Sequence, residues 1–216
     1  MIIRTKSGEF QAGNTSILLD FLGVKEGAGI HKVGVDVELL ASVPFHLTED
    51  KSNEKDGFPW TLSTFDLDRF GERIDPAGWD FSQYAKNPVV QWSHNYLIPA
   101  IGKIESLSVD DSGLHGLVFF NGKDYDAFGW SIGERVRSGV IRAGSVGFRV
   151  IEIEIPDKET VKEGTTLIFR KQELLEFSIC NVPANPFALA QSIETVKTEK
   201  REFSHPVFWG GLINNI

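Results

Sequence analysis

Over residues 33–43 apolar side chains take every second position. Val33, Val35, Val37, Leu39, Ala41 and Val43 alternate with mostly polar or small neighbours, which predicts a strand. Ahead of it, NTSILLDFL over 14–22 followed by Gly23 predicts a short capped helix, and KEGAGIHK over 25–32 reads as a loop. The charged stretch 48–57 carries no core residues. WTLSTFD (60–66), PVVQWSHNY (88–96) and IGKIESLSV (101–109) are strand-like. The last of these meets LHGLVFF (114–120) through the turn DDSG, which predicts a hairpin. Tyr125, Phe128, Ile132 and Val136 recur at spacings of three and four ahead of Gly139, so 124–138 is the best helix. Residues 141–155 and 165–182 are long and rich in strand formers, and a helical stretch follows Pro186. About seven or eight short strands with two or three helices favour a barrel or sandwich over a doubly wound sheet. The expected class is mainly β with flanking helices (α+β).

Composition narrows this further. Thirty acidic residues against 22 basic give a net charge of −8, which argues against a protein built to grip nucleic acid. Hydrophobic residues make up 41% of the chain, and 16 Phe and five Trp are ample core material. A single Cys excludes an intramolecular disulfide and an all-cysteine zinc site. No run approaches the roughly 20 apolar residues of a membrane span, and the first residues lack the apolar stretch of a signal peptide. These features predict a soluble protein of a reducing compartment, with no membrane or nucleic-acid partner.

Few residues stand out as chemistry. In a strand, His94 shares a face with Val90 and Trp92, and burial there favours the neutral imidazole that a general base needs. Ser145 lies in AGSVGF, where flanking glycines relieve crowding at the hydroxyl and let other backbone approach. The segment falls one residue short of G-x-S-x-G. A strand rather than a helix follows, and His94 precedes Ser145, so the α/β-hydrolase reading is rejected. On alternation alone, Glu176, Ser178 and Cys180 point away from Leu175, Phe177 and Ile179, which sends Glu176 to solvent. Its functional reading is an acid that orients an imidazole, with Glu173 as the substitute. Cys180 reads as a small apolar strand residue rather than a thiol nucleophile. Asp66, Asp68, Glu72 and Asp75 begin like a calcium loop. Phe70 and Ala77 then occupy ligand positions, so an acidic turn exposing charge is expected instead, with no metal and no cofactor.

Three segments, in order, resemble the prohead (capsid maturation) serine proteases of tailed bacteriophages. They are NPVVQWSHNYLIPAIGKI (87–104), SGVIRAGSVGF (138–148) and ELLEFSICNVPANPFA (173–188). FDLDRFGERIDPAGW (65–79) fits the entry to the domain, and the resemblance covers about 60–195. It implies a barrel-like β core with surrounding helices, similar to the herpesvirus assemblin proteases. It also implies His94 as the base, Ser145 as the nucleophile and Glu176 as the acidic third member, where assemblins carry a second His. Backbone N–H groups near Gly144–Gly147, with Arg142 or Arg149, are the candidate oxyanion donors.

The implied activity is a serine endopeptidase acting inside the immature prohead in the host cytoplasm. Its implied partners are the major capsid protein with its scaffolding segment, and the protease itself through autocleavage. Self-association as a dimer or higher oligomer follows from the assemblin analogy alone. The expected organisation is an N-terminal arm over 1–50, a protease domain over 51–197 and a C-terminal tail over 198–216 open to self-processing. The competing readings are a non-catalytic capsid assembly or scaffold module with the same fold, and a hydrolase of small esters.

Overall fold

The computed structural model describes residues 2–5, 8–11, 14–25, 27–43, 57–68, 70–157 and 164–181. In chain order the elements are β1 (Ile2–Thr5), β2 (Gly8–Gln11), α1 (Thr15–Leu22), β3 (Gly29–Lys32), β4 (Glu38–Val43), β5 (Phe58–Ser63), β6 (Glu72–Ile74) and β7 (Trp79–Asp80). They continue as β8 (Val89–Trp92), β9 (Gly102–Asp110), β10 (Gly113–Phe120), α2 (Ala127–Arg137), β11 (Ala143–Ile155) and β12 (Leu167–Cys180). The helical stretch expected after Pro186 and the tail lie outside the described residues.

The long antiparallel pair β11–β12 is the spine. On the outer edge of β11 run β3 and then β4, both antiparallel to it. On the outer edge of β12 lie β6, β7 and β8, all parallel to it. The main path reads β2-β1-β4-β11-β12-β8-β9-β10-β5. It curls until β5 packs against β4 and β11, yet β5 pairs only with β10. Among the described residues the sheet is therefore open, where a barrel was expected. The start of the N-terminal arm is continuous with this sheet, because β1 pairs with β4 and β4 with β11.

Of the strand expected over 33–43 only 38–43 forms, as β4, and β3 lies in the stretch 25–32 expected to be a loop. Residues 29–32 pair with 152–155, and 38–43 pair with 144–149. Between them five residues of this run face only Val150 and Ile151 of β11, so the extra length bulges outward. Val33 keeps one ladder bond, its N–H to the Ile151 carbonyl at 2.9 Å, and Val35 is exposed.

Both helices start and stop where their caps dictate. Asn14 Oδ1 accepts from Ile17 N–H at 3.0 Å, and Gly23 closes α1 in the left-handed region at φ 68°. Leu18, Leu19 and Leu22 bury one face. Asp126 caps α2 through Gly129 N–H at 2.9 Å. Ile132 and Val136 are buried as the spacing predicts, but Tyr125 precedes the helix and is exposed, and Phe128 is half exposed. Phe128 instead meets Trp92 edge to face, with ring centroids 6.0 Å apart. One continuous core joins Ile3, Leu39, Val146, Phe148, Phe177, Val90, Ile104, Val118 and Trp60. Burial of each such side chain contributes about 1.5–3 kcal/mol. Trp60–Phe177 and Phe148–Phe169 pack edge to face across it, at 5.7 and 5.2 Å. No helix among the described residues is long and apolar enough to cross a membrane.

Candidate active site

The site is built on the face of β11–β12 that turns away from this core. Alternation sends Val146, Phe148 and Val150 of β11 into the core and leaves Ser145 and Gly147 on the other face. Ser145 pairs with Ser178 and Gly147 with Glu176, so both β12 residues share the face of Ser145. Simple alternation from Leu174, which is buried in the core, would put Glu176 on the core face. Leu175 is the extra residue of a bulge, since Gly147 and Phe148 pair with Glu176 and Leu174, and it reverses the parity.

Glu176 is 3% exposed, so the expectation that it faces solvent is overturned. The second face of β12 is covered by the turn that carries His94, which alternation within one strand does not reveal. Cys180 is buried in the strand, as its type predicts.

His94 does not lie in a strand. β8 ends at Trp92, and Ser93 N–H makes a last ladder bond to the Ile179 carbonyl at 2.9 Å. Ser93 and His94 then take positive φ angles of 51° and 57°, a left-handed turn that costs non-glycine residues energy. The turn is closed by Asn95 N–H donating to the Trp92 carbonyl at 3.0 Å. His94 N–H donates to Ser178 Oγ at 3.0 Å, and Arg4 Nη2 donates to the His94 carbonyl at 2.9 Å. The strained turn therefore swings the imidazole back over β11 and β12 instead of leaving it beside Val90 and Trp92.

The three expected residues converge there. His94 Nε2 lies 2.6 Å from Ser145 Oγ, and His94 Nδ1 meets Glu176 Oε1 in a short contact. The second carboxylate oxygen of Glu176 accepts from Ser178 Oγ at 2.7 Å. Ser145 is 1% exposed, whereas the imidazole keeps 14% of its side-chain surface open. In this arrangement Nδ1–H donates to the carboxylate and Nε2 is free to take the hydroxyl proton.

The flanking glycines matter through side chains rather than backbone. A Cβ at Gly144 would lie 2.5 Å from the Phe177 ring and 2.9 Å from Trp60 Nε1. A Cβ at Gly147 would lie 2.7 Å from Glu176 Oε1 and 2.6 Å from Glu38 Oε1.

Beside the imidazole is an open cavity of about 430 Å³ lined by Arg4, Leu40, Ser93, His94, Asn95, Tyr96 and Leu97. Arg4 stacks on the Tyr96 ring at 4.5 Å and bonds Glu38 at 3.2 Å, while Tyr96 Oη donates to Glu38 Oε1 at 2.6 Å. Burial first, then the nearby Glu38 and Glu176 carboxylates, hold the Tyr96 phenol above its ordinary pKa, so it stays a donor. A cavity of about 500 Å³ between β10, α2 and the start of β5 contains none of the three converging residues.

Other expected residues go elsewhere. Glu173 accepts from Arg149 at 2.6 Å, and Arg149 also bonds Asp36, which commits both away from His94. Arg142 donates to the Gly139 carbonyl. Gly144–Gly147 lie in a strand paired on both edges, a place where backbone N–H groups serve the ladders. The acidic turn does not simply expose its charge. Asp68 Oδ1 accepts from the N–H groups of Phe70 and Glu72 at 2.8 Å, and Glu72 is 2% exposed. No cluster among the described residues has the ligands to hold a metal.

Sequence reasoning missed Ser178, Arg4, Glu38 and Tyr96 as parts of this site. The Glu-x-Ser spacing of 176 and 178 carried a signal, because period two puts both on one face. Arg4 and Glu38 gave none, since only the pairing of β1 with β4 and of β4 with β11 brings them in.

A family model described as the caudovirus prohead serine protease matches residues 47–203. No curated protein matches the chain. Among solved structures, the capsid assembly protease of bacteriophage T4 is similar with a TM-score of 0.47 at 11% identity, covering 68% of this chain and 98% of that one.

Proposed function

Since the chain belongs to the caudovirus prohead serine protease family, we propose that it is the endopeptidase of capsid maturation, with Ser145 as nucleophile, His94 as general base and Glu176 as the carboxylate that orients the imidazole. The observation that carries this reading is the 2.6 Å approach of Ser145 Oγ to His94 Nε2, with the other ring nitrogen on a buried carboxylate. A hydroxyl is a weak nucleophile at its own pKa and needs such a base.

Ser145 Oγ forms a bond to the scissile carbonyl carbon as His94 Nε2 takes its proton. Glu176 stabilises the imidazolium and fixes the tautomer. The C–N bond then breaks, and His94 gives the proton to the leaving amine. Water attacks the acyl-enzyme, His94 takes its proton, and the acid product leaves as the proton returns to Ser145.

The substrate is the scaffolding segment of the major capsid protein inside the immature prohead, and the protease also cleaves itself. The test is the intact mass of wild type and Ser145→Ala, each with and without a fluorophosphonate. An adduct on wild type alone supports the reading. No adduct on wild type, in the presence of capsid protein as well, would leave a non-catalytic assembly module.

A further inference from the structure

We infer that Ser178 is a positioning residue of this site, holding both the carboxylate and the histidine backbone in register with Ser145. The inference rests on the acyl-transfer reading above. Ser178 is fully buried, and its hydroxyl makes two bonds of opposite sense. It donates to Glu176 Oε2 at 2.7 Å and accepts from His94 N–H at 3.0 Å. A hydroxyl has one proton and two lone pairs, so this single group serves both partners at once.

Each bond has a separate consequence. Glu176 is buried, and its Oε1 is taken by the imidazole. Without Ser178 the second oxygen would lose its donor, in a place where water has little access. The carboxylate would be free to rotate about its last torsion, and the imidazole would lose its fixed orientation. His94 in turn holds a left-handed backbone that non-glycine residues resist. Its N–H is tied to Ser178 and its carbonyl to Arg4, so the hydroxyl is one of two side-chain clamps on that turn.

The β12 register makes the arrangement possible. Ser178 lies two residues from Glu176 on the same face and directly across the ladder from Ser145. One serine thus sits behind the dyad that the other serine completes. Ser178 is fully buried and its hydroxyl bonds Glu176 and the His94 N–H, so its effect is exerted through Glu176 and His94.

Two measurements on Ser178→Ala test this. The first is the rate at which a fluorophosphonate labels Ser145 across pH, and the second is a titration of His94 followed by NMR on ¹⁵N-histidine protein. Loss of the hydroxyl is expected to slow labelling by roughly 10–100-fold. It should also move the midpoint of His94, because the imidazole no longer faces a carboxylate held in one place. Arg4, Glu38, Tyr84 and Tyr96 surround the pair and are unchanged by the substitution. A purely structural role would lower the melting temperature and leave the His94 midpoint where it was. Ser178→Cys, close in size and a weak donor, gives the same comparison should the alanine protein not fold. Labelling at the wild-type rate with an unmoved midpoint would overturn the inference and leave the acyl-transfer reading standing. A wild type that never labels, while Ser178→Ala still moves the His94 midpoint, would overturn acyl transfer and support the positioning role.

Discussion

Ser145 of β11 and Ser178 of β12 stand directly opposite each other in the antiparallel ladder, and the next pair along on the same face sets Gly147 against Glu176. Two consecutive same-face pairs of one ladder thus supply the Ser145 hydroxyl, the Glu176 carboxylate and the space between them. The imidazole alone comes from outside the ladder, on the turn that follows β8. A sheet is a rigid support for such a constellation, because each side chain's direction is fixed by the register.

This register separates two carboxylates that sequence alone leaves as substitutes. Glu176→Gln removes the charge facing His94 Nδ1 and is expected to reduce turnover by about 10²–10⁴-fold with little loss of stability. Glu173 is bound to Arg149, so Glu173→Gln should leave turnover within about threefold, the change expected where no reacting group is touched. Cleavage rates of the two variants decide it. Full activity in Glu176→Gln would remove that residue from the mechanism.

Gly147 makes a second prediction. Its φ is ordinary, so alanine is not strained there by its backbone, but the added Cβ would sit 2.7 Å from Glu176 Oε1 and 2.6 Å from Glu38 Oε1. Glu176 Cγ would also lie 2.8 Å away, so the buried Glu176 side chain must shift as a whole to make room. Moving Glu176 by about 1 Å is enough to cost roughly 10²-fold in rate. Gly147→Ala is therefore expected to melt below wild type and to label with a fluorophosphonate far more slowly while still folded. A variant that labels normally would show that the carboxylate position is not critical.

Sequence periodicity served the fold best where an element is long and packed on one side. α1, the β9–β10 hairpin, β11 and β12 follow from apolar spacing and turn residues. β3 was hidden because its residues are exposed or half-buried, so nothing in Gly29–Lys32 alternates, and only the outer edge of β11 makes it a strand. The left-handed turn at Ser93–His94 was hidden for another reason. Neither residue is glycine, and the side chains that hold it, Arg4 and Ser178, are each more than 80 positions away. The convergence of His94, Ser145 and Glu176 follows the order of the motifs, whereas the burial of Glu176 comes from the turn that carries His94, a cover that alternation within β12 cannot show.

The hold of Arg4 on His94 can be tested separately. Its guanidinium donates to the His94 carbonyl at 2.9 Å, pairs with Glu38 and stacks on Tyr96, which ties β1 to the turn. Hydrogen bonds from charged groups contribute about 1.5–3 kcal/mol, and a part of that spent on holding the turn corresponds to about tenfold in rate. Arg4→Ala is expected to lower turnover by about that factor. Arg4→Lys should restore it incompletely, because an ammonium lacks the planar fork that reaches carbonyl and carboxylate together. Equal rates in Arg4→Ala and wild type would mean that Ser178 suffices to hold the turn.

The last prediction concerns pH and lies away from this site, at Glu72. Burial pushes its carboxyl up to about 8 from an ordinary 4.5, with the neighbouring Asp68 charge adding to the rise. Its Oε2 has no hydrogen-bond partner among the described residues. The folded state therefore holds the proton more tightly than the unfolded chain. Stability from this group is fully present below about 4.5 and is lost as pH rises towards 8. Each unit of that window costs about 1.4 kcal/mol, so the whole window costs a few kcal/mol. Glu72→Gln has no proton to lose and should lack this decline. Urea unfolding of both proteins at pH 5 and pH 9 reads the difference. The variant should gain on wild type by at least about 2 kcal/mol between the two conditions, even if the amide costs something at both. A difference that stays constant with pH would mean that Glu72 is already ionised in the folded protein and that a partner stabilises its charge.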